Sequence, residues 1–469
     1  MRVCLLVLML VVSLLAAASG PVIDIGNRLE LFVDGYLVDS MKGVSLRLHA
    51  PREEGTAIVF DKPWEGNTST YCTVIKDDDR YRLYFRGSSD PAYTPMALLG
   101  PGETVVPLHE EVTCYAESKD GIRWTRPSLG LVEFQGSRAN NIILAETAVH
   151  NFAPFKDANP AAAPEARYKA VGGSGKLFAY QSADGVRWTR MRAEPVITDG
   201  AFDSLNVAFF DTVRGEYVAV YRDFRYGIRT VKFATSKDFL NWTKGVWADY
   251  GDAPLEQLYT NATTPYFRAP HIYLSFPKRF MPQRTSLAEA PKGGNGVSET
   301  VFMSSRDGVH WDRRFMEALI RPGRDPRNWI HRSTMAATNL VPTAADEMSL
   351  YVDRDYNWPT NRIVRFSWRT DGLVSVHADA SGGEMVTKPF TFDGAKLVLN
   401  YATSAAGGIR LEIQDQRGNP LPAFALDDAK TMFGDKIEET ISVKSLKGAI
   451  IRLRFVMKDA DLYSIQFRK

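Results

Sequence analysis

The chain has 469 residues, a formal net charge of +2, 45% hydrophobic and 24% charged residues. That length exceeds what a single hydrophobic core usually supports, so more than one domain is expected. The near-neutral charge balance removes the electrostatic case for nucleic acid or an anionic membrane surface as a partner.

At the N-terminus Arg2 precedes an apolar stretch, residues 3–15, and Ala16-Ala-Ala18 or Ala18-Ser-Gly20 offers a cleavage site. This pattern predicts a secretory signal over residues 1–20 and a secreted or periplasmic protein. The apolar run is short for a membrane span, and no later segment approaches twenty apolar residues. Cleavage would remove Cys4 and leave Cys72 and Cys114.

A seven-residue phrase then recurs. It reads Ser118-Lys-Asp120-Gly121-Ile-Arg-Trp124, Ser182-Ala-Asp184-Gly185-Val-Arg-Trp188, Ser236-Lys-Asp238-Phe239-Leu-Asn-Trp242 and Ser305-Arg-Asp307-Gly308-Val-His-Trp311, with a degenerate fifth copy at Arg369-Thr-Asp371-Gly372. The Trp spacings are 64, 54 and 69 residues, which marks a repeat architecture. Upstream of each phrase lies a short aromatic and β-branched run (81–86, 168–171, 216–221, 271–276, 348–352) bounded by turn residues such as Lys76-Asp-Asp-Asp79. Such runs between Gly, Asp and Asn clusters are strand and hairpin signals. Within the phrase Asp-Gly supplies a turn with positive φ, and the Ser and Asp side chains can bond nearby backbone N–H groups. The result is about four strands per repeat and five repeats, with no long amphipathic helix between them. The expectation is an all-β, five-bladed β-propeller over residues 21–383, including N-terminal lead-in strands.

Cys72 and Cys114 fall on the first and third strands of one repeat, about 9–10 Å apart at ~4.8 Å per strand. A disulfide needs Cα atoms within about 7 Å, so two buried free thiols are expected. Beyond residue 383 the phrase disappears. Runs at 397–401, 409–413, 450–455 and 462–467, separated by turns such as Gln416-Arg-Gly-Asn-Pro420, predict a separate β-sandwich over residues 384–469.

A five-fold propeller with Ser-Lys-Asp-x-x-x-Trp phrases and a C-terminal β-sandwich resembles glycoside hydrolase family 32 and the related five-bladed families 43, 62 and 68. The phrase 236–242 with its following Thr243 is the most similar stretch, and Trp64-Glu-Gly-Asn67 stands where family 32 carries Trp-x-Asn-Asp-Pro. The family catalytic motifs are not preserved: there is no Asn-Asp-Pro-Asn, no Glu-Cys, and Arg324-Asp-Pro326 falls between repeats four and five. The resemblance therefore implies the fold and the reaction class, hydrolysis of a glycosidic bond, and no catalytic residue. Sialidases, with six blades and a longer aspartate box, are a weaker resemblance.

In a propeller the segments that open the innermost strands face one another across a central funnel. Here they hold Glu65, Asn67 and Ser69, then His150 and Asn151, then Asp203, Ser204 and Asn206, then Glu256, Tyr259 and Asn261, and finally Trp329, His331 and Arg332. Glycoside cleavage needs two carboxyl groups across the scissile bond. Glu65, Asp203 and Glu256 are accordingly the expected catalytic acids, at least two of them with carboxyls within ~5–10 Å. Asn67, His150, Asn151, Asn206, Tyr259, Asn261, Trp329, His331 and Arg332 are the expected sugar contacts. Arg222, beside Asp223, joins them as half of an ion pair that would orient Asp203. Arg279 and Arg332 could meet an anionic or sulfated sugar, although a structural role is the favoured reading for both. No residue pair has metal-site spacing, so neither metal nor other cofactor is expected. The expected function is a secreted glycosidase acting on an oligo- or polysaccharide, with a non-catalytic carbohydrate-binding propeller as the alternative.

Overall fold

The structure, a computed structural model, describes residues 22–146, 148–286 and 295–469. The predicted signal, residues 1–20, lies outside them. The chain divides into two compact units, Leu46–Ser375 and a second made of residues 22–45 with Val376–Lys469.

The first unit is the expected five-bladed propeller. Its blades are four-stranded antiparallel sheets. Blade one comprises Thr70–Asp77, Arg80–Ser89, His109–Ser118 and Ile142–Leu144; blade two comprises Ala153–Lys156, Tyr168–Gly172, Phe178–Ser182 and Thr189–Arg190. Blade three comprises Val207–Asp211, Glu216–Arg225, Ile228–Ser236 and Val246–Trp247. Blade four comprises Thr264–Tyr266, Ala269–Ser275, Met303–Ser305 and Trp311–Asp312, with a hairpin, Lys278–Met281 and Val297–Thr300, inserted between its middle strands. Blade five takes its first three strands, Val341–Pro342, Glu347–Arg354 and Arg362–Arg369, from the end of the repeat region, and its outermost strand, Arg52–Val59, from the start. Pairing the two ends of the repeat region in one sheet closes the ring through backbone hydrogen bonds.

The repeated phrase forms the turn after the third strand of each blade. In all four full copies the Asp carboxylate accepts two successive backbone N–H bonds, from Ile122 and Arg123, Val186 and Arg187, Leu240 and Asn241, or Val309 and His310, at 2.7–2.9 Å. The Ser hydroxyl accepts the N–H of the residue after the Asp. That residue has φ near +75° in Gly121, Gly185 and Gly308, and Phe239 takes the same conformation at φ 69°. Trp188, Trp242 and Trp311 donate their indole N–H to its carbonyl.

Each turn also reaches the preceding blade. Tyr351 of blade five donates to the Gly121 carbonyl, and Tyr84 of blade one to Gly185. Phe239 packs on Phe155 of blade two, Gly308 lies against Phe233 of blade three, and Asp371 accepts from Tyr266 of blade four. The phrase recurs because every blade boundary needs one such contact.

Cys72 and Cys114 sit on the first and third strands of blade one, buried and unbridged, as expected. In the second unit the long strand Ile451–Arg468 pairs with Lys396–Asp415, Gly383–Thr387 and Leu29–Leu31, building a sheet region consistent with a β-sandwich. The strands Ile23–Gly26 and Val38–Lys42, assigned from sequence to the propeller lead-in, pair here with Phe390–Phe392 and Gly383–Thr387. Phe390, Phe392 and Phe467 form the aromatic centre of this unit. Among the described residues no helix is long and apolar enough to cross a membrane.

Candidate functional site

All five blades line one cavity of about 600 Å³. Blade one and its loops supply Thr70, Tyr71, Arg86, Asp90, Tyr93 and Glu111; His150 comes from blade two, Asp203 from blade three, Lys278 from blade four, and Arg332 and Tyr356 from blade five. Tyr71 has φ 54° where the register of the first strand shifts between Thr70 and Thr73. A bulge re-aims side chains, and here the Tyr71 ring meets the His150 ring at 5.5 Å and the Arg86 guanidinium at 4.9 Å.

A chain of charged groups runs through this wall. Asp203 Oδ1 lies 2.9 Å from His150 Nε2, and His150 Nδ1 lies 2.9 Å from Glu111 Oε2. Arg86, itself buried, is 3.2 Å from Glu111 Oε1 and donates to the Thr68 carbonyl at 2.8 Å. The hydrogen bond from His150 holds the Asp203 carboxyl well below the usual carboxylate range, with Arg222 and Arg332 adding to the effect. Burial pushes Glu111 up, but the bond to His150 and the Arg86 charge outweigh it and keep it below its ordinary value. Burial likewise opposes the charge on His150, yet its bonds to Asp203 and Glu111 prevail and raise its pKa. The imidazole therefore lies between two carboxylates, with Arg86 Nη1 3.1 Å from its Nδ1 and the Asp203 side chain 59% exposed.

The structure brings together only some of the expected residues. His150, Asp203 and Arg332 line the cavity. Glu65 does not: it is fully buried, and Arg126 grips it from two directions at 2.8 and 2.9 Å. Glu256 does not either, being held by Arg279 at 3.0 Å and Arg313 at 2.6 Å. Of the expected acids Glu65, Asp203 and Glu256, only Asp203 lines the cavity, together with Asp90 and Glu111, while the other two sit in ion pairs. Buried acids persist in a fold when paired and hydrogen-bonded, and both have such partners. Arg279, one of the two cations considered for an anionic sugar, is likewise committed to Glu256 and Glu299.

The asparagines of the innermost segments also serve the fold. Asn151 donates across the blade boundary to the carbonyls of Phe202 and Ser204, Asn206 to the same two carbonyls, and Asn261 to Val220 of the preceding blade. Asn67 donates to the Asp90 carbonyl and to Thr94. Each amide satisfies main-chain carbonyls that a chain entering the propeller centre would otherwise leave unpaired. Arg222 donates to the Ala201 carbonyl and packs on Tyr259, whereas Asp223 pairs with Lys232, so no Arg222–Asp223 pair forms. Trp329 donates to the Gly323 carbonyl. His331 is buried against Phe280 and kept neutral by burial.

Sequence reasoning missed Glu111, Arg86 and Lys278. A signal existed: each is a charge inside or beside a strand-like apolar run, Arg86 closing the run 81–86 and Lys278 following 271–276. Among the described residues no group of three or more His, Cys, Asp or Glu side chains could hold a metal ion.

No protein-family model matches the chain, and no curated protein matches it in sequence. It is similar to solved glycoside hydrolases and other carbohydrate enzymes. One is a glycoside hydrolase family 43 arabinoxylan arabinofuranohydrolase from Bacillus subtilis in complex with cellotetraose (11% identity, 88% of this chain and 99% of that one, TM-score 0.42). Another is the catalytic domain of a Coprinopsis cinerea family 62 α-L-arabinofuranosidase (11% identity, 69% and 98%, TM-score 0.41). A third is an N-acetylgalactosamine deacetylase from F. plautii in complex with blood group B trisaccharide (14% identity, 69% and 95%, TM-score 0.43). Likeness at this level bears on neither substrate nor mechanism.

Proposed function

We propose that the protein is a glycoside hydrolase working in the five-blade cavity, exported by its N-terminal segment. The observation that carries this reading is the Glu111–His150–Asp203 chain opening into a polar, aromatic-walled space large enough for a sugar ring. Hydrolysis must take one proton from water and deliver one to the leaving oxygen as the anomeric C–O bond breaks. Asp203 and His150, 2.9 Å apart on one side of the cavity, are too close to flank the scissile bond, so they act as one relay that gives a proton to the leaving oxygen and regains it from the incoming water. Glu111 and Arg86 are positioning residues that orient the imidazole, and Tyr93, the partly exposed aromatic of the wall, gives the sugar its platform.

The test is a hydrolysis screen of purified protein on nitrophenyl glycosides and plant or algal polysaccharides. With a substrate in hand, Asp203→Asn should lower turnover by roughly 10²–10⁴ at unchanged fold, because it keeps volume and removes proton transfer. Wild-type turnover in Asp203→Asn sinks the assignment. Sugar binding without any cleavage would instead support the carbohydrate-binding propeller.

A further inference from the structure

Among the described residues, two basic side chains of the cavity form no ion pair, although Arg332 acts on Asp203 and bonds Tyr356, and Lys278 lies near Asp353. Lys278 is fully buried, lines the cavity, and its Nζ has no hydrogen-bond partner, lying instead 4.1 Å from the centroid of the Tyr259 ring. Arg332 lines the same cavity at φ 77°, its Nε also without a partner and its guanidinium 5.5 Å from the Tyr93 ring. Of the acids nearby, Asp203 bonds His150, Glu111 bonds His150 and Arg86, the buried Asp353 accepts from the Met335 N–H at 2.7 Å and the Thr70 hydroxyl at 2.8 Å, and Asp90 accepts from the Ala92 N–H at 2.9 Å. An unpaired buried ammonium is expensive. A non-glycine residue held at positive φ is strained, and such strain concentrates at ligand sites.

We propose that Lys278 and Arg332 form a subsite for an anionic substituent of the sugar, a carboxylate or a sulfate, and that the substrate class is an acidic glycan. The proposal rests on reading the cavity as a sugar site. A guanidinium fork matches the two oxygens of either group, and a compact ammonium supplies the second charge. Arg86, by contrast, is committed to Glu111 and orients the proton-transfer chain. Lys278 faces Asp353 and the Arg332, Arg222 and Arg229 guanidiniums, with Tyr259 and His331 beside it. Burial and the three guanidiniums push its pKa down against the pull of Asp353. A bound anion therefore draws a proton onto Lys278, so affinity should fall as pH rises.

The test is calorimetric titration of the full chain with glucuronate- and galacturonate-bearing oligosaccharides, sulfated oligosaccharides and their neutral parents, in buffers of differing ionisation enthalpy. The expected result is a preference of about tenfold or more for one acidic series over its neutral parent, with proton uptake on binding. The uronate and sulfate arms separate the two sources of charge. Lys278→Met and Arg332→Gln should each abolish the preference, while Lys278→Met keeps or raises Tm because it removes a buried amine that has no hydrogen-bond partner. Equal binding of acidic and neutral sugars, no binding of either, or a preference that survives both substitutions overturns the subsite. Cleavage of neutral glycosides with no acidic preference overturns the subsite and leaves the hydrolase reading standing. Acidic sugars that bind without cleavage of any glycoside do the reverse.

Discussion

Removing Arg126 should expose how much of this fold depends on burying Glu65. Glu65 is fully buried; Arg126 donates to its two oxygens at 2.8 and 2.9 Å, and the Lys62 N–H lies 3.2 Å from one of them. Arg126→Met leaves a buried carboxylate with one backbone donor, a change expected to cost about 3–5 kcal/mol. Glu65→Gln frees Arg126 toward solvent and Asp61, so its cost should be smaller, about 1–2 kcal/mol. The double variant should then be no less stable than Arg126→Met alone, since the two residues act as a unit. Burial already raises the Glu65 pKa above its ordinary value despite the Arg126 charge, and the variant raises it further. A group whose folded pKa is raised contributes stability below its unfolded pKa and loses it as pH rises through the folded value. The Arg126→Met penalty should accordingly be least near pH 4 and grow toward neutrality. Urea unfolding followed by tryptophan fluorescence, with m compared between variants, measures all of this. A penalty under about 1 kcal/mol, or one that is flat between pH 4 and 8, refutes the reasoning. Turnover lost in Glu65→Gln without loss of stability would return Glu65 to the chemistry.

Three further outcomes follow from the same structure. The turn aspartates Asp120, Asp184, Asp238 and Asp307 all have lowered pKa values; at Asp238, backbone and side-chain hydrogen bonds outweigh burial and bring it to about 2. The Asp238 contribution is present above about pH 4 and lost as pH falls through about 2, so Asp238→Ala should flatten the acid limb of the stability–pH curve. Phe239→Gly relieves a positive φ worth about 1–2 kcal/mol but empties an aromatic site worth about 3–5, and should destabilise by about 1–4 kcal/mol in chemical denaturation. Burial raises both thiols well above their ordinary pKa; Cys72 and Cys114 should resist maleimide in the native protein and both label after unfolding without reductant. Failure to label the unfolded chain would mean a disulfide.

The propeller was legible in the sequence because its information is local and repeated. Asp-Gly turns, flanking β-branched runs and the Trp that closes each phrase act over seven residues, and a ring of equivalent blades requires that unit at every boundary. The free thiols were legible for a related reason, since strand count alone sets their separation. What local pattern did not carry was partnership across long sequence gaps. The outer strand of blade five comes from Arg52–Val59, because ring closure joins chain ends that share no motif. The site depended on partnership in the same way. Glu65, Asp203 and Glu256 occupy similar places in their repeats, yet Arg126 and the Arg279–Arg313 pair neutralise two of them and leave the third facing the cavity. Glu111 gains its role only because folding sets it 2.9 Å from His150, 39 residues away. Repeat phase selects which residues approach the centre, but whether a charge there is paired or free to react depends on where the tertiary fold places its counter-charge.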